Sequence, residues 1–184
     1  QVAKSLPMGL KLYVKETPAS ITRDWRSISI YKEIMAIPNV TLIHPSVSVE
    51  KLMKNCSIVF TIAGTSGFEA AFYGKPSIVF SDVGYVELPS VTRVKEIENL
   101  ESIIKKSIKI KVNPVDLAKF VNYLENNVIN FNWFEMESKI NKAFFFDGYT
   151  ADIEISESQM NLFLEKNLQI LNYVGKEHIK KLHK

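Results

Sequence analysis

Gly64 and Gly67 enclose Thr65 and Ser66, and a carboxylate, Glu69, follows shortly after. A turn of small residues before a helix presents backbone N–H groups and the positive end of the helix dipole, which favour a phosphate or a carboxylate. Glu69 cannot bind phosphate, but it can accept hydrogen bonds from sugar hydroxyls. The pairing points to a nucleotide, with phosphates on the amides of Gly64 to Gly67 and ribose on Glu69. A plainer account stands beside it: the glycines only make a tight turn and Glu69 only complements the helix dipole. A single glycine turn does not decide between the two.

Other polar groups sit where they could serve the same site. Lys15, Glu16 and Thr17 precede Pro18, His44 precedes Pro45 and Ser46, and Ser81 to Tyr85 form a further loop. Lys15, Arg23 and Arg26 are candidate partners for a diphosphate or a sugar carboxylate, although a solvated helix face also accounts for the arginines. His178 and His183 lie in a lysine-rich tail and read as surface residues. Several chemistries are excluded by spacing. The turn is neither a Gly-x-Ser-x-Gly elbow nor a P-loop, and it lacks the paired glycines of a dinucleotide fingerprint. No His/Asp/Glu cluster has metal-ligand spacing. Lys75 reads as a helix C-terminal charge rather than a ligand contact.

The elements that must position these groups follow from periodicity. Residues 57–62 are apolar and β-rich, a strand buried on both faces. A short helix with Phe68, Ala71 and Phe72 follows, with Thr65 or Ser66 as its cap and Gly74 as its stop, and residues 77–80 form the next strand. Two buried strands joined by a helix make a βαβ unit, hence a parallel sheet. Upstream, 1–8 reads as an irregular lead-in, 9–15 as a strand, 23–37 as a helix, 40–43 as a strand and 49–55 as a helix capped by Ser48. Downstream, 91–94 is a last strand, 100–110 and 114–130 are helices, and 130–148 is an aromatic connection with a helical middle at 135–143. A long amphipathic helix spans 156–174, where Gly175 interrupts it.

Strands alternate with helices in the first half and helices alone fill the second. The fold class expected is α/β: an open parallel sheet with a helical C-terminal extension, residues 1–112 forming the nucleotide-binding core and 113–184 packing on the same domain. Ligands in such sheets bind outside the carboxyl ends of the strands, where Lys15 to Thr17, His44, Gly64 to Gly67 and Ser81 to Tyr85 all lie.

Bulk properties narrow the class. The chain has 184 residues, 46% of them hydrophobic and 23% charged, which fits a folded globular protein with its own core. A net charge of +3 gives no argument for nucleic acid. The single cysteine, Cys56, excludes an internal disulfide and reads as a small buried residue. No apolar run reaches the length of a membrane span and no signal peptide is visible. The chain starts at Gln1 close to a strand, so it is expected to be a piece of a longer protein.

The runs LYVKETP, PNVTLIHPSVSVEKLM and VFTIAGTSGFEAAFYGKPSIVFSDVGYVELPSV resemble bacterial capsule polysaccharide biosynthesis proteins, including Kdo transferases and related surface-carbohydrate glycosyltransferases. The resemblance covers residues 10–94, and GTSGFEAAFYGKPSIVF is its most specific part. It implies a Rossmann-like sheet, the C-terminal half of a GT-B glycosyltransferase, which binds the nucleotide sugar. It also implies that Glu69 contacts the donor ribose and that Gly64, Thr65, Ser66 and Gly67 hold its phosphate or sugar carboxylate. Tyr85 would line the nucleobase or sugar pocket. Thr17 stands where the family usually carries a phosphate-binding histidine; its hydroxyl can hydrogen-bond a phosphate but brings no positive charge. His44 follows the second strand and so does not replace that histidine.

The implied donor is a CMP- or UDP-linked sugar, a substrate rather than a cofactor, with no metal. The implied partners are a glycan acceptor and an N-terminal GT-B domain carrying the catalytic base, without which the isolated half would not transfer sugar. No nucleic acid is implied. The expected place is the cytoplasm, with peripheral contact at the inner membrane face as a lesser expectation for the basic C-terminal helix. Two other readings remain: a UDP-sugar 2-epimerase-like domain, and a degenerate binding module that Thr17 and the missing half would suit.

Overall fold

The computed structural model describes residues 1–16, 26–146 and 153–182. Their contacts group into two compact units, one within 1–125 and the other within 126–182.

In the first unit, helix α1 (Val2–Ser5) precedes strand β1 (Leu12–Lys15), helix α2 (Ile28–Met35), strand β2 (Val40–Ile43), helix α3 (Val49–Asn55) and strand β3 (Val59–Thr61). Helix α4 (Ser66–Phe72) and strand β4 (Ser77–Val79) follow, then a 3-10 turn (Gly84–Glu87) and strand β5 (Val91–Arg93). Helices α5 (Leu100–Ser107) and α6 (Pro114–Asn127) complete the run, α6 ending just past the division between units.

Every strand pair is parallel, as expected. Among the described residues, the strands form two sheets, β1-β2 and β3-β4-β5, without a hydrogen-bonded ladder between them. Leu12 to Lys15 stand opposite Val40 to Ile43, and Val59 to Thr61 stand opposite Ser77 to Val79, which in turn face Val91 to Arg93. The result is a mixed α/β architecture with short parallel sheets.

β4 is the central strand and is buried along its whole length. Because side chains alternate along a strand, its two apolar residues serve opposite faces. Val79 packs with Ala71, Leu88, Val91 and Leu117 on one side, while Ile78 packs with Val94, Leu100 and Ile104 on the other. α4 covers the first face. Its C-terminus closes in a Schellman motif: the Lys75 N–H donates to the Ala70 carbonyl at 2.9 Å and the Gly74 N–H to the Ala71 carbonyl at 3.0 Å. Gly74 adopts φ +69°, a conformation that glycine takes without a Cβ penalty. The expected stop at Gly74 is therefore observed, and so is the cap of α3, where Ser48 Oγ accepts from the Lys51 N–H at 3.4 Å.

Several expectations are corrected. The lead-in carries a helical turn, α1, whose Ala3 is buried and whose Ala3 carbonyl accepts from Asn39 Nδ2 at 2.7 Å. β1 starts at Leu12 rather than residue 9, because a turn in which the Leu10 N–H donates to the Pro7 carbonyl occupies the residues before it. Of the helix expected over 23–37, residues 23–25 lie outside the described residues, and α2 begins at Ile28, after an extended Ser27 with φ −60° and ψ 145°. Arg23 lies outside the described residues, as does Thr17.

In the second unit, helix α7 (Trp133–Phe144) is longer than its expected middle, and Asn132 Oδ1 caps it by accepting from the Glu135 N–H at 3.1 Å. Helix α8 (Glu157–Leu182) runs through Gly175 instead of stopping there. Good helix formers follow the glycine, and an ion pair at 2.6 Å between Glu177 and Lys180 supports the last turns. Phe144 and Phe163 pack α7 on α8 with ring centroids 5.0 Å apart. Among the described residues, no helix is long and apolar enough to cross a membrane.

Candidate functional site

The glycine turn lies at the carboxyl end of β3. It is held from within by its own strand, where Thr61 Oγ1 accepts from the Gly64 N–H at 3.0 Å. The Gly67 N–H donates to the Gly64 carbonyl at 3.2 Å, and the N–H groups of Phe68 and Glu69 both donate to the Thr65 carbonyl at 2.9 Å. The Thr65 and Ser66 N–H groups take no part in these bonds. Of the four amides expected to meet a phosphate, those of Gly64 and Gly67 serve the turn itself.

Thr65 occupies the N-cap position of α4, but its side chain does not cap the helix. Its backbone is already helical, at φ −60° and ψ −17°, and its hydroxyl instead donates to Glu69 Oε1 at 2.7 Å. Glu69 is exposed in the first turn, and its other carboxylate oxygen stays outside that bond.

Tyr85 reaches the turn from the 3-10 segment after β4. Its hydroxyl donates to the Gly64 carbonyl at 2.5 Å. Its ring stacks on Phe68 with centroids 6.0 Å apart. Burial, and then the Glu69 charge, push the Tyr85 hydroxyl above its ordinary titration range, so it remains a proton donor. Both glycines of the turn are required by close approach rather than by backbone angle. A Cβ on Gly64 would meet Thr61 Oγ1 at 2.8 Å, and one on Gly67 would meet the Tyr85 hydroxyl at 2.7 Å. Through its bond to Gly64 and its stacking on Phe68, Tyr85 braces the turn.

Two contacts at this edge were missed. Ser77 Oγ, buried at the start of β4, donates to the Gly67 carbonyl at 2.8 Å and ties the helix to the central strand. A polar residue opening a buried apolar run was the available signal. Arg93 and Asp82 form an ion pair at 2.7 Å across the ends of β5 and β4.

The β1-β2 sheet carries a second group of polar residues at its carboxyl end. Lys15 Nζ donates to the Glu16 carbonyl at 3.3 Å. The Glu16 carboxylate accepts from Tyr31 Oη at 2.6 Å and from Arg26 Nε at 2.5 Å. The Tyr31 hydrogen bond, helped by Arg26, holds Glu16 below the ordinary carboxylate range. The same bond pushes Tyr31 up. Arg26, a candidate ligand partner by sequence, is thus engaged by a carboxylate of its own chain. His44 is exposed, and its Nδ1 lies 2.7 Å from Ser46 Oγ and accepts from the Ser46 N–H at 3.2 Å. Lys15 and His44 end adjacent strands, while Gly64, Thr65, Ser66, Gly67, Glu69 and Tyr85 form one contiguous cluster.

Cys56 sits half-buried after α3, its thiol donating to the Met53 carbonyl at 3.4 Å and pushed up by burial. Among the described residues, no group of His, Cys, Asp and Glu has the arrangement of a metal site.

A family model described as capsule polysaccharide biosynthesis protein matches residues 1–126. Neither the curated proteins nor the solved structures contain a match to the chain.

Proposed function

The chain belongs to the capsule polysaccharide biosynthesis protein family, and from that membership we propose that it binds the nucleotide-sugar donor of a glycosyltransferase in capsule assembly. The observation that carries this reading is the cluster at the end of β3, where the Thr65 and Ser66 amides lie outside the turn's own bonds and an exposed Glu69 stands beside them. The amides would receive the donor phosphate. Glu69 would accept from the ribose hydroxyls through the oxygen that Thr65 does not hold. Tyr85 and Ser77 keep the turn rigid, so the amides need no reorganisation when the donor arrives.

In the transfer step the acceptor hydroxyl oxygen attacks the anomeric carbon, and the bond from that carbon to the phosphate oxygen breaks. The electron pair leaves with the nucleotide, whose growing negative charge the amides stabilise. The hydroxyl proton goes to a base on an N-terminal domain, as the family resemblance implies. Lys15 and His44, at the ends of β1 and β2, would face the sugar or its carboxylate.

Calorimetric titration with CMP, UDP, GDP and ADP tests the reading. CMP or UDP should bind with a dissociation constant between about 1 μM and 1 mM. Heats no larger than dilution for all four at millimolar concentration would reduce the turn to architecture and remove the proposal.

A further inference from the structure

The long helix α8 shows two different sides. One side is committed inside its own unit: Phe163 meets Phe144, Asn167 is buried with its Nδ2 donating to the Phe163 carbonyl at 2.8 Å, and the Lys181 ammonium donates to the Asn127 carbonyl. The other side carries Leu164, Leu168, Gly175, Ile179 and Leu182, which at helical spacing fall within about 60° of arc. These leucines and Ile179 are exposed by 41%, 54%, 69% and 56% for Leu164, Leu168, Leu182 and Ile179.

Nothing among the described residues explains Gly175 on this stripe. It lies inside a continuous helix, where glycine costs about 1 kcal/mol relative to alanine. A Cβ there would meet nothing within 4 Å. A glycine at such a position suits the close approach of another helix.

Charge says which helix. Glu165 and Lys176 flank the same edge of the stripe, and among the described residues neither belongs to an ion pair. Within one helix they stand about 16 Å apart along the axis and cannot meet. The part of the stripe from Leu164 to Ile179 is centred between Leu171 and Asn172. A second α8 laid antiparallel about that centre brings Leu164 beside Ile179 of the second copy and Leu168 over its Gly175. Glu165 then stands within about 3 Å, along the axis, of Lys176 of the second copy, and the two-fold axis makes the same pair again. A parallel arrangement would face Glu165 and Lys176 with the opposite edge of the second helix and leave both charges without this pairing.

We infer that α8 is a self-association surface, on which two copies of this chain pair antiparallel through the stripe from Leu164 to Ile179. Sedimentation equilibrium of the chain tests it. The chain should dimerise, and Leu168→Asp should weaken the dimer with an unchanged far-ultraviolet circular dichroism spectrum. Glu165→Lys alone, or Lys176→Glu alone, should raise the dimer dissociation constant about tenfold, since each turns two attractions into repulsions. The two reversals combined should return it close to the original. A chain that stays monomeric at about 1 mM overturns the inference. So does a double reversal no better than the single ones, or a monomer whose stripe instead partitions into anionic lipid vesicles.

Discussion

Ile78→Ala is expected to lower the unfolding free energy by about 2–5 kcal/mol. Ile78 is fully buried at the centre of the middle strand β4, enclosed by Val94, Leu100 and Ile104, with Phe60 and Phe80 packed around them. The loss combines removed apolar surface with a cavity that this enclosure cannot easily close, because backbone ladders on both sides fix the strand. Domains are stable by only about 5–15 kcal/mol, so the change is a large part of the total. Urea unfolding reads it as a lower midpoint with an unchanged slope. A loss under about 1 kcal/mol would mean that the core relaxes around the gap and that β4 is not its rigid centre.

Gly67→Ala should be the second most damaging change, at about 1–3 kcal/mol for overpacking. The added methyl would lie 2.7 Å from the Tyr85 hydroxyl, 3.0 Å from Tyr85 Cε2 and 3.1 Å from Thr61 Cγ2. Tyr85 cannot simply swing away, since it is bonded to the Gly64 carbonyl and stacked on Phe68. Displacing it would also forfeit that hydrogen bond, worth about 1 kcal/mol. Thermal unfolding of Gly67→Ala, Tyr85→Phe and the double variant separates the parts. The double variant should be less destabilised than the sum of the singles, because both act on one contact. Strict additivity would show that the tyrosine does not brace the turn.

Much of the first half was legible in the sequence because its signals are local. The apolar run around Phe60, the glycine stop at Gly74 and the capping Ser48 each depend on neighbours within a few residues. The stop and the cap are found where expected, while the run forms the shorter strand β3, half-buried rather than buried on both faces because it stands at the edge of its sheet. What was not legible depends on distance along the chain. The bond from Tyr85 to Gly64 spans 21 residues, and nothing near either one announces it. The break between the β1-β2 and β3-β4-β5 sheets is a matter of hydrogen bonding between strands rather than of strand composition. Gly175 was misread for a different reason. Glycine ends a helix when the chain needs a left-handed residue, but it sits within one when the residues on both sides favour continuation. Thr65 was legible in place but not in role, since its hydroxyl could serve either a backbone N–H or the Glu69 carboxylate, and the helical backbone at the cap directs it to the latter.

The most direct measurement compares the chain with its Glu69→Ala variant in calorimetric titrations against the better-bound of CMP and UDP and against the 2′,3′-dideoxy form of that nucleotide. If Glu69 accepts from the ribose hydroxyls, the unaltered chain should bind the ribonucleotide about tenfold or more tightly than the dideoxy form. Glu69→Ala should lose that preference while keeping its weaker phosphate-dependent binding. Equal affinity of both proteins for both nucleotides would contradict the account. Glu69 would then be only the partner of the Thr65 hydroxyl at the start of α4.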